Sequence, residues 1–230
     1  MKINILSPDQ GIDDLKGFTV VVDVFRAFST ACYMFMNNPK TVLVVDSIDD
    51  AYSIKAHYQN TILVGERNGL KIDGFDYGNS PTEVFGKDFS DKIVVHTTSA
   101  GTKGLLRQPV ENEVITGSFV NAKAIVRFIL KSGIDHINLY CTADRGELLG
   151  EEDYLFADYI KNELLGIGNN YASIVKRLRN GSGKGFKEGG FAPESDFWYC
   201  MDLGICNSIL HRKTQSIYGN YIELKAEVIN

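Results

Sequence analysis

Thr19-Val20-Val21-Val22-Asp23-Val24 is a run of β-branched apolar residues that ends on an acid. A strand that is apolar on both faces belongs in a parallel sheet covered by helices on either side. Residues 25–29 lead from it into an apolar helix over about 30–37, which Asn38-Pro39 stops. Working outward, the same alternation recurs. Residues 1–7 read as a short strand, and strands are expected at 41–45, 61–65, 92–96, 113–116 and 136–141. Ser47 caps a helix reaching about Tyr58, and a short helix ends near Arg107. Ser118 caps an amphipathic helix over 120–131 that Gly133 ends, and Glu151-Glu152-Asp153 opens another reaching about Leu165. Residues 142–150 read as a loop between them.

Beyond Gly166 the pattern loosens. The glycine- and lysine-rich stretch 180–190 reads as a mobile loop, 196–203 and 205–213 as helices, and 218–228 as one or two closing strands. Strands alternating with helices predict a three-layer α/β/α sandwich around a largely parallel, mixed sheet. One domain is expected over 1–230, with the motifs in about 1–165 and a helical and strand extension over about 166–230.

A second stretch, Val64 to Glu83, carries Glu66, Arg67, Asp73, Asp76 and several glycines through a loop of about fifteen residues. Long loops inside compact domains tend to be functional. Ser80-Pro81-Thr82-Glu83 closes it with a cap residue, a proline at the first helical position and a glutamate able to complete a capping box. A charged glycine-rich loop running into a helix start suits a small anion, and a solvated surface loop is the plainer alternative.

The composition, 44% hydrophobic and 23% charged, is that of an ordinary globular protein. A net charge of -5 argues against a general nucleic-acid or anionic-membrane binder. Nothing resembles a membrane span or a signal peptide, so a cytoplasmic protein is expected. The four cysteines show no metal-finger or C-x-x-C spacing and read as buried thiols. Oligomeric state is not legible, and a homo-oligomer is allowed.

Ligands of open α/β sheets bind beyond the carboxyl ends of the strands. Those ends carry Asp23 with Arg26, Glu66 with Arg67, Thr97 with Thr98, Gly117 with Ser118, and Cys141 with Thr142. Asp46-Ser47 is accounted for by helix capping. If the strands are parallel, the others share one rim. Two arginines there suit a doubly charged oxyanion, although each alone reads equally well as a structural ion pair. Thr97, Thr98 and Thr102 add hydroxyls and backbone N–H groups at a helix start. Asp23 and Glu66, with Glu152 or Asp153, offer hard oxygens of the kind Mg²⁺ prefers.

Familiar phosphoryl-transfer motifs are absent. Asp23-Val24-Phe25 lacks the second acid of an aspartyl-phosphate enzyme, and Cys141 has no arginine six residues later. No G-x-x-x-x-G-K-[ST] occurs, no G-x-G-x-x-G follows a strand, and no histidine pair has H-E-x-x-H spacing.

The chain resembles the Mg²⁺-dependent 2-phosphosulfolactate phosphatase family. The resemblance rests on Val22-Asp23-Val24-Phe25-Arg26-Ala27, Gly65-Glu66-Arg67-Asn68-Gly69 and Gly74-Phe75-Asp76-Tyr77-Gly78-Asn79-Ser80-Pro81. It continues through Thr97-Thr98-Ser99-Ala100-Gly101-Thr102, Ser118 with Asn121, and Glu152-Asp153, together covering roughly residues 20–160. It implies hydrolysis of a phosphate monoester on a small sulfonated hydroxy acid, 2-phospho-3-sulfolactate to 3-sulfolactate and phosphate, within coenzyme M biosynthesis. On that reading Asp23 and Glu152 or Asp153 hold Mg²⁺, Arg26 and Arg67 clamp the anion, and Glu66 orients the attacking water as general base. Asn79, Ser80, Thr97, Thr98, Thr102 and Ser118 line the anion site. The rival expectations are a non-catalytic binding protein for a small phosphate or sulfonate metabolite, and a structural protein whose rim residues only form salt bridges.

Overall fold

The computed structural model describes residues 1–10, 12, 16–143, 150–213 and 221–229. The first half of the chain runs β1 (Lys2–Leu6), β2 (Phe18–Val22), α1 (Ala27–Met36), β3 (Thr41–Val45), α2 (Ile48–His57), β4 (Thr61–Arg67), β5 (Leu70–Lys71), α3 (Pro81–Val84), β6 (Ile93–Thr97) and α4 (Gly101–Leu106). The second half adds β7 (Val114–Gly117), α5 (Ala122–Ser132), β8 (His136–Cys141), α6 (Glu151–Leu164), α7 (Tyr171–Asn180), α8 (Glu194–Cys200), β9 (Ser208–Lys213) and β10 (Tyr221–Val228). Ten strands form one sheet in the order β1-β8-β2-β7-β9-β10-β3-β6-β4-β5.

The expected α/β class and mixed, mostly parallel sheet are what the chain adopts. One face packs on α1, α3 and α4 through Phe28, Val84, Leu105 and the strand residues Val21, Val44, Val64, Val94 and Leu210. The opposite face is covered by α5 and α6 around Ile125, Phe156 and Ile160, and by α2 around Ala51 and Ile54. All five residues of β2 are buried, the physical meaning of its unbroken apolar run. Among the described residues no helix is long and apolar enough to cross a membrane.

The rim differs from the expectation. β1, β8, β2 and β7 are mutually parallel, as are β3, β6 and β4. β9 and β10 lie between these groups, and the pairings β7–β9, β9–β10 and β10–β3 are all antiparallel. Three reversals leave the two parallel groups running in opposite senses. Twist restores what a flat sheet would separate. At about 20–25° per strand pair, the five steps from β2 to β6 turn the strand direction by roughly 100–125°. The segments after β2, β4 and β6 thereby meet.

Residues 205–213, expected as a helix, are largely strand β9. Ile209 packs on one face of the sheet and Leu210 on the other, and pairing with β7 and β10 decides a run too short for periodicity to settle. Helix α7 was not anticipated: Leu178 is its one buried residue, with Tyr171, Ile174 and Val175 half-buried against the α6 side of the core. The stretch 180–190 is not a free loop. It forms a 3-10 turn over Ser182–Gly185, and Phe186 behind it is fully buried against Phe25, Phe191 and Phe197. Residues 144–149 of the expected 142–150 loop, and 218–220 of the expected closing strand, lie outside the described residues.

Candidate active site

The long loop expected after β4 begins as a tight hairpin. β4 continues through Glu66 and Arg67, and Arg67 pairs with Leu70 of β5. Asn68 and Gly69 make the turn at φ 55° and 80°. An Asn-Gly pair is the dipeptide that a two-residue turn with positive φ at both positions favours. The hairpin carries Gly69 toward Asp23.

Asp23 follows β2 and is 7% exposed. Its Oδ1 accepts from Ala27 N at 2.9 Å and its Oδ2 from Thr142 Oγ1 at 3.4 Å. Burial pushes its pKa up to about 6, and the nearby Glu66 charge adds to the rise. Asp153, in the first turn of α6, accepts from Val24 N at 2.9 Å, Thr142 N at 3.1 Å and Thr142 Oγ1 at 3.2 Å. Burial and the charges of Asp23 and Glu152 hold its carboxyl well above the usual range. Among the described residues Glu152 has one long hydrogen bond, from Gly150 N to its Oε2 at 3.3 Å, and burial raises its pKa to about 7. Asp23, Glu152, Asp153 and Thr142 line one cleft of about 540 Å³, with Phe25 and Phe191 as apolar wall. Three acids whose pKa values burial raises are costly to keep ionised without a cation or proton.

The other expected site residues do not line this cleft. Arg26 is 6% exposed, pairs with Asp196 of α8 at 2.8 Å, donates to Gly69 O at 3.0 Å, and lies over the Phe191 ring at 5.6 Å. Its charge still acts on Asp23, lowering that acid's pKa against the burial effect. Arg67 donates to Glu66 O, Asp46 O and Thr97 Oγ1 at 2.7–2.9 Å, which ties three chain segments together. Neither guanidinium is aimed into the cleft, because each is committed to fold contacts.

Glu66 accepts from Ser99 N at 2.6 Å, Gly69 N at 2.7 Å and Ser99 Oγ at 3.0 Å. Oε2 takes two of these donors and Oε1 one, which leaves a lone pair on Oε1 for the general-base role expected from sequence. Ser80 caps α3 and donates to Asp196 Oδ1 at 2.7 Å, and Asn79 beside it is buried. Thr98 and Thr102 bond to each other across the start of α4, and Thr97 receives Arg67. Ser118 is fully buried, its N–H donating to Asn121 Oδ1 at 3.0 Å.

Sequence reasoning missed Asp196 and Ser182. Asp196 is fully buried and takes Arg26, Ser80 Oγ and Thr82 N together. Its only local signal is an acid in the first turn of a helix, which dipole stabilisation explains equally well.

The donor set fits Mg²⁺ in one respect and differs in another. Carboxylate oxygens are the right ligands, but among the described residues no three of His, Cys, Asp and Glu converge closely enough to hold an ion. Asp153 is already engaged by three donors. The arrangement matches an ion held by one or two carboxylates plus water and substrate oxygens, which is the usual Mg²⁺ habit.

A Caldicellulosiruptor saccharolyticus protein named "Probable 2-phosphosulfolactate phosphatase" is 37% identical over 166 residues, 69% of this chain and 68% of its own length. Proteins of the same name from Deinococcus radiodurans and Bacillus subtilis are 31% and 28% identical, over 80% and 88% of this chain and 76% and 84% of theirs. The class defined by this fold, acid-lined cleft and kinship is that of the phosphoric monoester hydrolases. Within it, the chain belongs to the 2-phosphosulpholactate phosphatase family, whose profile matches residues 5–214.

Proposed function

We propose that the chain is a Mg²⁺-dependent phosphatase that hydrolyses 2-phospho-3-sulfolactate to 3-sulfolactate and phosphate. The observation that carries this reading is the cleft in which Asp23, Glu152 and Asp153 lie desolvated beside one another. A pure anion binder gains nothing from buried carboxylates at its site, because they repel the ligand. The names of the relatives supply the substrate.

Asp23 and Glu152 would hold the ion in this reading. Bound between them, Mg²⁺ would supply charge neutralisation and Lewis acidity for transfer of the phosphoryl group. Asp153 keeps Thr142 and Val24 in register, so that Asp23 stays aimed into the cleft. Glu66 holds Gly69 and Ser99 in place at the mouth. Arg26, behind Gly69 and Phe191, adds positive potential without leaving Asp196. Phe25 and Phe191 exclude water beside the ester.

The test is phosphate release from a panel of small phosphate monoesters, 2-phospho-3-sulfolactate and phosphoglycolate among them, with EDTA-treated protein before and after Mg²⁺ addition. Metal-dependent release fastest from 2-phospho-3-sulfolactate is expected. Binding of the esters with no release from any of them would instead favour the non-catalytic binding protein.

A further inference from the structure

Ser182 lies in Gly181-Ser182-Gly183-Lys184-Gly185, the short 3-10 turn that follows α7. Nothing in the reading above uses it, yet the turn is pinned on several sides. Arg177 of α7 pairs with Glu151 of α6 at 2.6 Å. A Cβ on Gly181 would stand 2.6 Å from Glu151 Oε2, so the turn and the first turn of α6 touch with no room for a side chain between them. A Cβ on Gly183 would stand 2.5 Å from the Phe197 ring and 2.8 Å from Leu178 O. Arg179 donates to Phe186 O at 3.1 Å and pairs with Glu194. The hydroxyl of residue 182 is thereby delivered beside Glu152, the neighbour of Glu151.

Ser182 is 5% exposed and lines the cleft, and its Oγ has no hydrogen-bond partner among the described residues. A buried hydroxyl without a partner is uncommon and calls for a physical reason. Ser182 lines the cleft together with Gly150, Glu152 and Asp153. Among the described residues Glu152 has one 3.3 Å contact where Asp153 has three. An unpaired donor stands next to an under-bonded acceptor.

We propose that Ser182 is a positioning residue of the metal site: its hydroxyl donates to one Glu152 oxygen and turns the other toward the ion. This rests on the reading that Asp23 and Glu152 hold Mg²⁺. Groups that hydrogen-bond to metal ligands typically contribute about 10–100-fold to metal affinity. The turn is held by its own contacts, Arg179 on Phe186 O and Glu194 and the close packing of Gly181 and Gly183, so removing the Ser182 hydroxyl should not unfold it.

Mn²⁺ serves as the probe, titrated into metal-free wild type and Ser182→Ala and followed by electron paramagnetic resonance. Ser182→Ala is expected to bind Mn²⁺ about 10-fold more weakly while melting, without metal, within about 2 °C of wild type. Ser182→Gly, which also lacks the hydroxyl, should behave alike. Equal Mn²⁺ affinity in wild type and both variants would overturn the proposal and leave the phosphatase reading standing. A metal-free melting temperature lowered by more than about 5 °C in both variants would make Ser182 a structural residue and overturn it as well. Wild-type protein that binds no Mn²⁺ would remove the metal reading itself, and the proposal with it.

Discussion

Arg26 and Asp196, 170 positions apart in sequence, form a buried ion pair at 2.8 Å, with side chains 6% and 0% exposed. The pair joins the start of α1 to α8, and Asp196 extends the link to Ser80 and Thr82 at the start of α3. Removing one partner of such a pair strands the other charge in the interior, at about 3–5 kcal/mol. Asp196→Ala should therefore lower the melting temperature by about 10 °C in thermal denaturation. A change under 2 °C would mean that Arg26 finds water or another acceptor at little cost.

Gly101 bears on catalysis by contact alone. A Cβ there would lie 2.5 Å from Asp23 Oδ2 and 2.6 Å from the Ala27 Cβ. Asp23 has to move if residue 101 gains a methyl group, and displacements near 1 Å in active sites cost about 10²-fold in rate. Gly101→Ala is expected to lower kcat/KM about 100-fold, with an unchanged circular dichroism spectrum. Wild-type kcat/KM would show that Asp23 is not held where the reaction needs it.

Asp23→Asn separates metal chemistry from folding. Burial raises the folded-state pKa of this acid from 3.8 to about 6. The stability this contributes is full below about pH 3.8 and is lost as pH rises through 6, so at pH 7.5 the ionised carboxylate weighs against the metal-free fold. The variant should melt no lower than wild type in EDTA at pH 7.5. It should also lose the Mg²⁺-induced rise in melting temperature expected of wild type, together with phosphatase activity. A Mg²⁺-induced rise of wild-type size in the variant would place the ion elsewhere.

His96 gives the opposite pH dependence. It is fully buried, both ring nitrogens lack partners among the described residues, and desolvation lowers its pKa from 6.5 to about 3. A base depressed on folding supports the fold above pH 6.5 and withdraws that support as pH falls toward 3. At pH 5 the loss is roughly 2 kcal/mol. Urea denaturation of wild type and His96→Leu at pH 7.5 and pH 5 should show wild type losing about 2 kcal/mol more than the variant. Parallel losses would mean that His96 reaches a proton acceptor or water inside the fold.

The α/β class, most element positions and the acids of the cleft were legible in the sequence, because these are local matters. β-branched runs, caps and strand ends are written within a few residues, as at Phe18–Val22, Ser47 and Glu151-Glu152-Asp153. The Asn68-Gly69 turn was missed, because its two-residue hairpin signal sits inside a stretch that otherwise reads as one long loop. Tertiary structure decided the rest. The insertion of β9 and β10 between two parallel groups reverses one of them, and twist then carries Gly69 and Gly101 to Asp23. The arginines that sequence aimed at the anion are instead committed to Asp196, Asp46 and Thr97, since a guanidinium buried in the fold needs nearby acceptors that only the folded chain supplies. Ser182 meets Glu152 for the same reason: α7 docks on α6 through Arg177 and Glu151, a contact between helices that no local pattern encodes.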